Sequence, residues 1–128
     1  MKISYSGFAL RELRDEVDDT CIPWIAAAIQ ILKYDVHPSG LYSTIEGEIE
    51  VESGPVDIFT DCKYKIYTLK IVTPYLEYRV LYYIDNEHDV IVITSVGHRD
   101  KVFKRSRVKM IQLQVEKYYE NEGWYHGL

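Results

Sequence analysis

The sequence lacks the features that mark several large classes of protein. No apolar run approaches the roughly 20 residues that cross a bilayer. The first residues, MKISYSGFALRELRDE, become charged too early for a signal peptide. Only two cysteines are present, Cys21 and Cys62, and their spacing fits no metal site. We therefore expect a cytoplasmic protein with reduced thiols and no membrane partner.

Common catalytic motifs are missing too. There is no glycine-rich phosphate loop and no Gly-x-Ser-x-Gly turn. The histidines do not pair with one another or with cysteine at metal-ligand spacing; they are His37, His88, His98 and His126. The sequence therefore predicts neither a metal nor a cofactor.

Basic residues are fewer than acidic ones, 15 against 20, and the net charge is -5. They are also unevenly distributed along the chain. Residues 46–62 contain six acidic residues and no Lys or Arg, whereas residues 99–109 contain six basic residues and one acid. An acidic protein can bind nucleic acid if its charge is segregated in this way. The pattern fits a local basic patch, and it also fits two ordinary solvated segments.

The composition is that of one globular domain. The chain has 128 residues, of which 47% are hydrophobic and 12 are tyrosines. Half-buried tyrosines pack with their rings and keep the hydroxyl in water, so they suit either a tyrosine-rich sheet or a binding face. We predict a single domain over residues 1–120 and a loose tail over 121–128.

The clearest structural signal lies between Tyr78 and Phe103, where two apolar runs flank the polar turn Asp85–Asp89. This pattern predicts a buried β-hairpin. Its second run, Val90–Val96, is apolar on both faces, as a central strand would be. Its first run alternates, with Tyr78, Val80, Tyr82 and Ile84 on one face and Arg79, Leu81 and Tyr83 on the other.

The remaining pattern predicts a strand, two helices, further strands and a last helix. The segments are a strand at Lys2–Tyr5, a helix from Gly7 capped by Ser6, a helix from near Thr20 to before Pro38, strands at Glu48–Glu52, Val56–Phe59 and Tyr64–Val72, a turn at Ser53–Pro55, and a helix at Lys104–Tyr119. We therefore expect an α+β fold, a small twisted and mostly antiparallel sheet with an N-terminal helical hairpin and a C-terminal helix.

The segments YRVLYYID and VIVITSVGHRDKVF resemble the C-terminal half of the RelE/ParE toxin superfamily of bacterial toxin–antitoxin systems. The matching elements are Tyr-Arg entering one strand and Gly-His-Arg leaving the next, within residues 64–103. The resemblance implies a RelE/ParE-like fold. It also implies the toxin of a type II system, a RelE-like mRNA endoribonuclease that acts on the ribosome and is neutralised by a cognate antitoxin.

The resemblance further implies site residues. Arg79 matches the strand arginine that binds the scissile phosphate, and Arg99 matches the arginine after the strand-end glycine. His98 is either an acid or base or a structural cap of the strand end. The substrate-binding candidates are Lys65, Lys70, Lys101 and Phe103.

Three departures from the family's pattern qualify this interpretation, and one is a connection between Lys70 and Arg79 that is longer than the family's tight one. Phe103 stands where RNA-cleaving members often carry tyrosine, and it can stack on a base but cannot donate a proton. The acidic segment before Tyr64 would repel ribosomal RNA. Two alternatives therefore stay open: a ParE-like toxin that inhibits DNA gyrase, and a catalytically silent binding module of the same fold.

All three interpretations imply a protein partner that covers an exposed sheet edge or groove. Tryptophan and tyrosine are favoured at interface centres. The candidate anchors are Trp24, Tyr34, Tyr42 and the pair Trp124–Tyr125, although most of them could equally close the core.

Overall fold

The structure is a computed structural model that describes residues 1–57, 64–120 and 125–126. The fold is α+β, as predicted. The elements in chain order are β1 (Lys2–Tyr5), α1 (Gly7–Asp15), α2 (Ile22–Ile31), β2 (Ser39–Thr44), β3 (Gly47–Pro55), β4 (Tyr67–Val72), β5 (Glu77–Asp85), β6 (Val90–Gly97), α3 (Arg99–Val102), α4 (Arg105–Glu120) and β7 (Tyr125–His126).

The strands form one sheet in the order β2-β3-β4-β5-β6-β1-β7. After β1 the chain crosses through α1 and α2 to the far edge of the sheet, and it then returns strand by strand from β2 to β6. Among the described strands only β1 and β6 pair in parallel, and the chain between them contains α1, α2 and the strands β2 to β5. The prediction of a mostly antiparallel sheet is therefore confirmed.

The predicted hairpin is present as β5 and β6. Every residue of β6 is buried, as expected for a strand with apolar side chains on both faces. The register shifts between Leu81 and Tyr82, which face Ser95 and Ile93, so Thr94 is an extra residue in β6. The Thr94 hydroxyl donates to the carbonyl of Leu81 at 3.0 Å and so stabilises this bulge.

One face of the sheet packs against α1 and α2. The Ser6 side chain caps α1 by accepting the N–H of Ala9 at 3.0 Å, as predicted. Helix α1 lies over β6, and α2 lies over β3. The core on this face includes Ile25, Ile29, Ile49, Leu69, Ile71, Tyr78, Val80, Tyr82, Ile91 and Ile93.

On the other face, the described residues form a covering layer only over β5 and β6. Helices α3 and α4 pack there on a second core made of Ile66, Leu81, Tyr83, Val90, Val92, Val102, Ile111 and Val115. The alternation predicted for β5 is confirmed, since Tyr78 and Leu81 belong to different cores. Beyond α4 no described helix covers this face, and we call the part formed by β2, β3, β4 and the start of β5 the open face.

The predicted N-terminal helical hairpin is wrong as an arrangement. The strand predicted at Lys2–Tyr5 is present before the two helices, but each helix lies over its own part of the sheet. The sheet is wide enough for both helices to bury their apolar sides directly against strands, so they do not need to pair with each other.

Other boundaries also differ from the predictions. Strand β2 was not expected, and α2 ends at Ile31, well before Pro38. Ser53–Pro55 is not a turn but the end of β3, because these residues pair with Tyr67–Leu69. These segments have weak local patterns, and pairing with neighbouring strands decides their conformation.

Some predictions fall where the structure describes little or nothing. Residues 58–63 lie outside the described residues, and with them Cys62 and the second half of the strand predicted at Val56–Phe59. Of the tail, only 125–126 are described, and they pair with β1.

Cys21 is a buried free thiol. No helix within the described ranges is long and apolar enough to span a bilayer.

Ile71 and Val72 are neighbours on β4 that face opposite sides, so they test the two faces directly. Ile71 is fully buried and Val72 is 36% exposed. We expect Ile71→Ala to lower the free energy of unfolding by about 2–5 kcal/mol, because it leaves a cavity. We expect the control Val72→Ala to cost less than about 1 kcal/mol. Urea denaturation measures both, and equal losses would mean that the open face is covered.

Candidate active site

Lys70, Arg79 and Gly97 lie side by side on three neighbouring strands. Lys70 pairs with Arg79 across β4 and β5, and Arg79 pairs with Gly97 across β5 and β6. Paired residues of an antiparallel sheet project to the same side, so the two cationic side chains are adjacent on the open face. The structure thus brings together two of the predicted site residues.

Glu77 holds this pair of cations. Its carboxylate accepts a hydrogen bond from Nη2 of Arg79 at 3.3 Å and lies 3.8 Å from Nζ of Lys70. Glu77 is not among the predicted site residues, although strand alternation places it on the same side as Arg79, two residues away. The site therefore contains a carboxylate beside two cations.

Arg79 keeps hydrogen-bonding capacity that its neighbours do not use. Its side chain is only 17% exposed, and its Nε is buried with no hydrogen-bond partner among the described residues. Buried donors in folded proteins are almost always paired, so an unpaired one suggests a group that a ligand or water could satisfy. A guanidinium is well suited to an oxyanion in this position.

His98 does not join this site. Its ring packs on the ring of Tyr78 with centroids 4.8 Å apart. Tyr78 belongs to the core under α1 and α2, so His98 lies on the opposite side of β5 from Arg79. His98 occupies the N-cap position of α3, but its side chain makes no capping hydrogen bond. The structure therefore separates His98 from the cations that it was expected to assist.

The other predicted residues have varied surroundings. Arg99 and Lys101 are exposed on α3, directly after the end of β6. Lys65 is exposed, and its Nζ lies 5.8 Å from the centre of the Tyr67 ring. Phe103 is half-buried and packs against the second core, so part of its ring is already covered by protein.

A buried ion cluster lies at the C-terminal end of β6. Strand β1 ends at Tyr5, opposite Ile93, so the edge of β6 beyond this point has no neighbouring strand. Glu12 fills the gap: its carboxylate accepts the N–H of Val96 at 3.2 Å and the hydroxyl of Ser95 at 3.1 Å. Buried backbone donors need such partners, so Glu12 takes the place of a strand there.

Arg107 completes this cluster from α4. Its guanidinium donates to Glu12 and, at 3.0 Å, to both carboxylate oxygens of Glu16. It also lies 5.4 Å from the centre of the Phe8 ring. Arg107 is therefore used inside the fold, and the basic patch expected over residues 99–109 is smaller than its sequence indicates.

Three groups that could hold a metal ion come together in the turn between β5 and β6. Asp85, Glu87 and His88 place their ligand atoms within 4.8 Å of one another. The buried Asp85 carboxylate already accepts the backbone N–H of His88 at 3.2 Å and lies 2.7 Å from its Nδ1. These hydrogen bonds stabilise a tight turn, which is sufficient to explain why the three side chains lie close together.

No protein-family model matches this chain, and a search of curated proteins returns no relative. The resemblance to RelE/ParE toxins therefore depends on residues 64–103 alone.

Glu12 makes the stability of the fold depend on pH. Burial raises the pKa of its carboxyl from the ordinary 4.5 to about 7, although Arg107, Ser95 and the Val96 N–H oppose the rise. Between these pH values the folded protein keeps a proton that the unfolded chain has released. The stability that Glu12 contributes is therefore complete below pH 4.5 and is lost as the pH rises towards 7.

Glu12→Gln provides the reference, because glutamine resembles the neutral acid and does not titrate. We expect the stability of the wild type relative to this variant to fall between pH 5 and pH 7, as measured by urea denaturation at each pH. An increase over the same range would mean that Arg107 keeps Glu12 ionised in the folded protein.

Proposed function

We propose that this chain is the toxin of a type II toxin–antitoxin system, a RelE-like mRNA endoribonuclease that acts in the cytoplasm on the ribosome and is silenced by an antitoxin. The observation that supports this most is the contact of Glu77 with both Lys70 and Arg79 on the open face. A carboxylate beside two cations is a set of groups that metal-free RNA cleavage requires.

Each group has a role in the proposed reaction. Glu77 takes the proton from a ribose 2′-hydroxyl, and the 2′-oxygen attacks the neighbouring phosphorus. Arg79 and Lys70 stabilise the charge that develops on the phosphoryl oxygens. The bond from phosphorus to the 5′-oxygen breaks, and that oxygen takes a proton from water, because His98 lies on the other side of β5.

The exposed cations of α3 extend the proposed RNA site. Arg99 and Lys101 follow Gly97, which lies opposite Arg79, so they are close to the same end of the sheet. In this role they bind flanking phosphates and do not take part in bond breaking. The α+β architecture, with two helices on one face of the sheet, is consistent with the RelE/ParE-like fold that this proposal includes.

A catalytically silent binding module is the second candidate. The packing of His98 on Tyr78 and of Phe103 on the second core favours it, because both side chains are then used for structure. The acidic side chains of β3 also lie on the open face and would weaken the attraction of RNA.

Replacing both arginines tests the proposed nuclease. We expect induced expression of the wild type in a bacterial host to arrest growth and to create new 5′ ends on a reporter mRNA. In Arg79→Ala/Arg99→Ala we expect both effects to disappear, because the scissile phosphate loses its contact with Arg79 and a flanking phosphate loses its contact with Arg99. Growth curves and primer extension are the measurements.

The matched control is Arg11→Ala/Lys33→Ala, which removes the same charge from exposed positions on and after the N-terminal helices. It should arrest growth like the wild type. Arrest by the Arg79→Ala/Arg99→Ala protein would contradict the proposal, and arrest without new mRNA ends would point to gyrase. No arrest by a soluble, folded wild type would favour the silent module.

Glu77→Gln separates binding from catalysis. The change removes a negative charge from beside Lys70 and Arg79, so we expect RNA to bind several-fold more tightly, by roughly 1 kcal/mol. Cleavage should fall about 10²–10⁴-fold, because the general base is gone. Fluorescence anisotropy with a short RNA and a cleavage assay on ribosomes measure the two effects. Unchanged cleavage would exclude Glu77 as the base.

A further inference from the structure

Strand β2 is an edge of the sheet whose outer backbone groups are open. The N–H of Ser53 donates to the carbonyl of Pro38 at 2.9 Å, and the register then makes Gly40, Tyr42 and Thr44 the residues that bond to β3. Leu41 therefore points its N–H and C=O away from the sheet, and so does Ser43. No described residue pairs with them.

Among the residues that the structure describes, this edge carries none of the usual protection against pairing. Natural edge strands are commonly blunted by charged side chains, proline or a bulge. Ser39–Thr44 contains no charged residue and no proline, and it pairs with β3 without a register shift. Leu41, in its middle, is 70% exposed. The edge is therefore suited to receive another strand.

An apolar cleft follows β2 on the side of α2. It has a volume of about 370 Å³, and its lining includes Ala27, Ile31, Tyr34, Tyr42 and Ile45. Tyr34 is 91% exposed and Ile45 is 96% exposed. Exposed side chains of this size around a cleft are typical of an interaction site.

The opposite side of the same edge is acidic. Glu48 and Glu50 on β3 pair with Ser43 and Leu41, so they lie on the open face directly beside β2. They are exposed, and they form no salt bridge within the described residues. The sequence contains no Lys or Arg between Lys33 and Lys63. A ligand at this edge would meet uncompensated negative charge.

We propose that β2 binds an extended segment of another protein in which apolar and basic residues alternate. The backbone of the segment would pair with Leu41 and Ser43. Its apolar side chains would enter the cleft, and its Lys or Arg side chains would reach Glu48 and Glu50, whose strand lies about 10 Å from the added strand. This is strand addition to a sheet edge, with specificity from alternate side chains.

A second copy of the chain fits this edge less well. Pairing β2 with itself would place the acidic strands of two copies beside the same interface, without a basic residue from either segment. The proposal is also independent of RNA cleavage, because β2 lies three strands, or about 14 Å, from Arg79 on β5.

The first experiment uses the full chain and a fluorescein-labelled synthetic peptide of alternating lysine and valine. We expect the lysine–valine peptide to bind, by fluorescence anisotropy, and a glutamate–valine peptide of equal length not to bind. Binding should slow the amide exchange of Leu41 and Ser43 about tenfold or more. The amides of Gly40 and Tyr42, which already bond to β3, should change little.

Two variants locate the binding. Leu41→Pro removes an outward N–H but no bond to β3, so we expect it to weaken binding about tenfold. Glu48→Lys/Glu50→Lys should reverse the preference towards the glutamate–valine peptide. The control Asp19→Lys/Glu87→Lys makes the same change in net charge at exposed sites away from β2 and should leave the preference unchanged.

Three results would overturn the proposal. One is the absence of binding at millimolar peptide, and another is an equal effect of the two charge reversals. The third is self-association of the wild type in sedimentation experiments that Leu41→Pro abolishes, because a second copy would then be the occupant. If Leu41→Pro lowers stability, the amide exchange of the wild type decides the question.

Discussion

Strand β6 must be buried on both faces and both edges, and the rest of the fold follows from this constraint. Its backbone groups bond to β5 on one side and to the parallel strand β1 on the other. Ile91 and Ile93 contribute to the core under the N-terminal helices, whereas Val90 and Val92 contribute to the core under α4. A strand in this position needs a helical layer on each side, and the chain supplies both.

Beyond the end of β1, the edge of β6 has no described neighbouring strand to accept its backbone hydrogen bonds, and Glu12 accepts one of them. A buried N–H at Val96 needs an acceptor, and a carboxylate from α1 provides it. Burial of that carboxylate requires compensation, which Arg107 supplies from α4. One ion cluster thus joins both helical layers to the central strand, and it removes Arg107 from the cations that could attract nucleic acid.

Charge is divided between neighbouring strands on the open face. The acidic side chains lie on β3, and the cations Lys70 and Arg79 lie on β4 and β5, with Glu77 between them. Acidic and basic side chains can stay separate on neighbouring strands, because adjacent strands lie about 5 Å apart and keep a fixed register. The cationic part suits an oxyanion, and the acidic edge suits a basic segment, so the two proposed binding partners would not compete for the same groups.

Elements with a local, repeated pattern could be predicted from the residues alone. The alternation of Tyr78–Ile84 and the helix at Lys104–Tyr119 follow from patterns within a few residues, and both predictions are confirmed. The same holds for the Ser6 cap of α1, because its partner is three residues away. Of the candidate site, Arg79 and its face could be predicted in this way.

Contacts between groups far apart in the sequence could not be predicted, because they depend on how the elements pack. Lys70 stands beside Arg79 because of the register of two strands, His98 packs on Tyr78 because β6 ends where β5 begins, and β2 becomes an edge because α1 and α2 carry the chain across the sheet. Arg107 reaches Glu12 across 95 residues of sequence. Such contacts depend on how whole elements are placed relative to one another, and no local pattern of residue types contains that information.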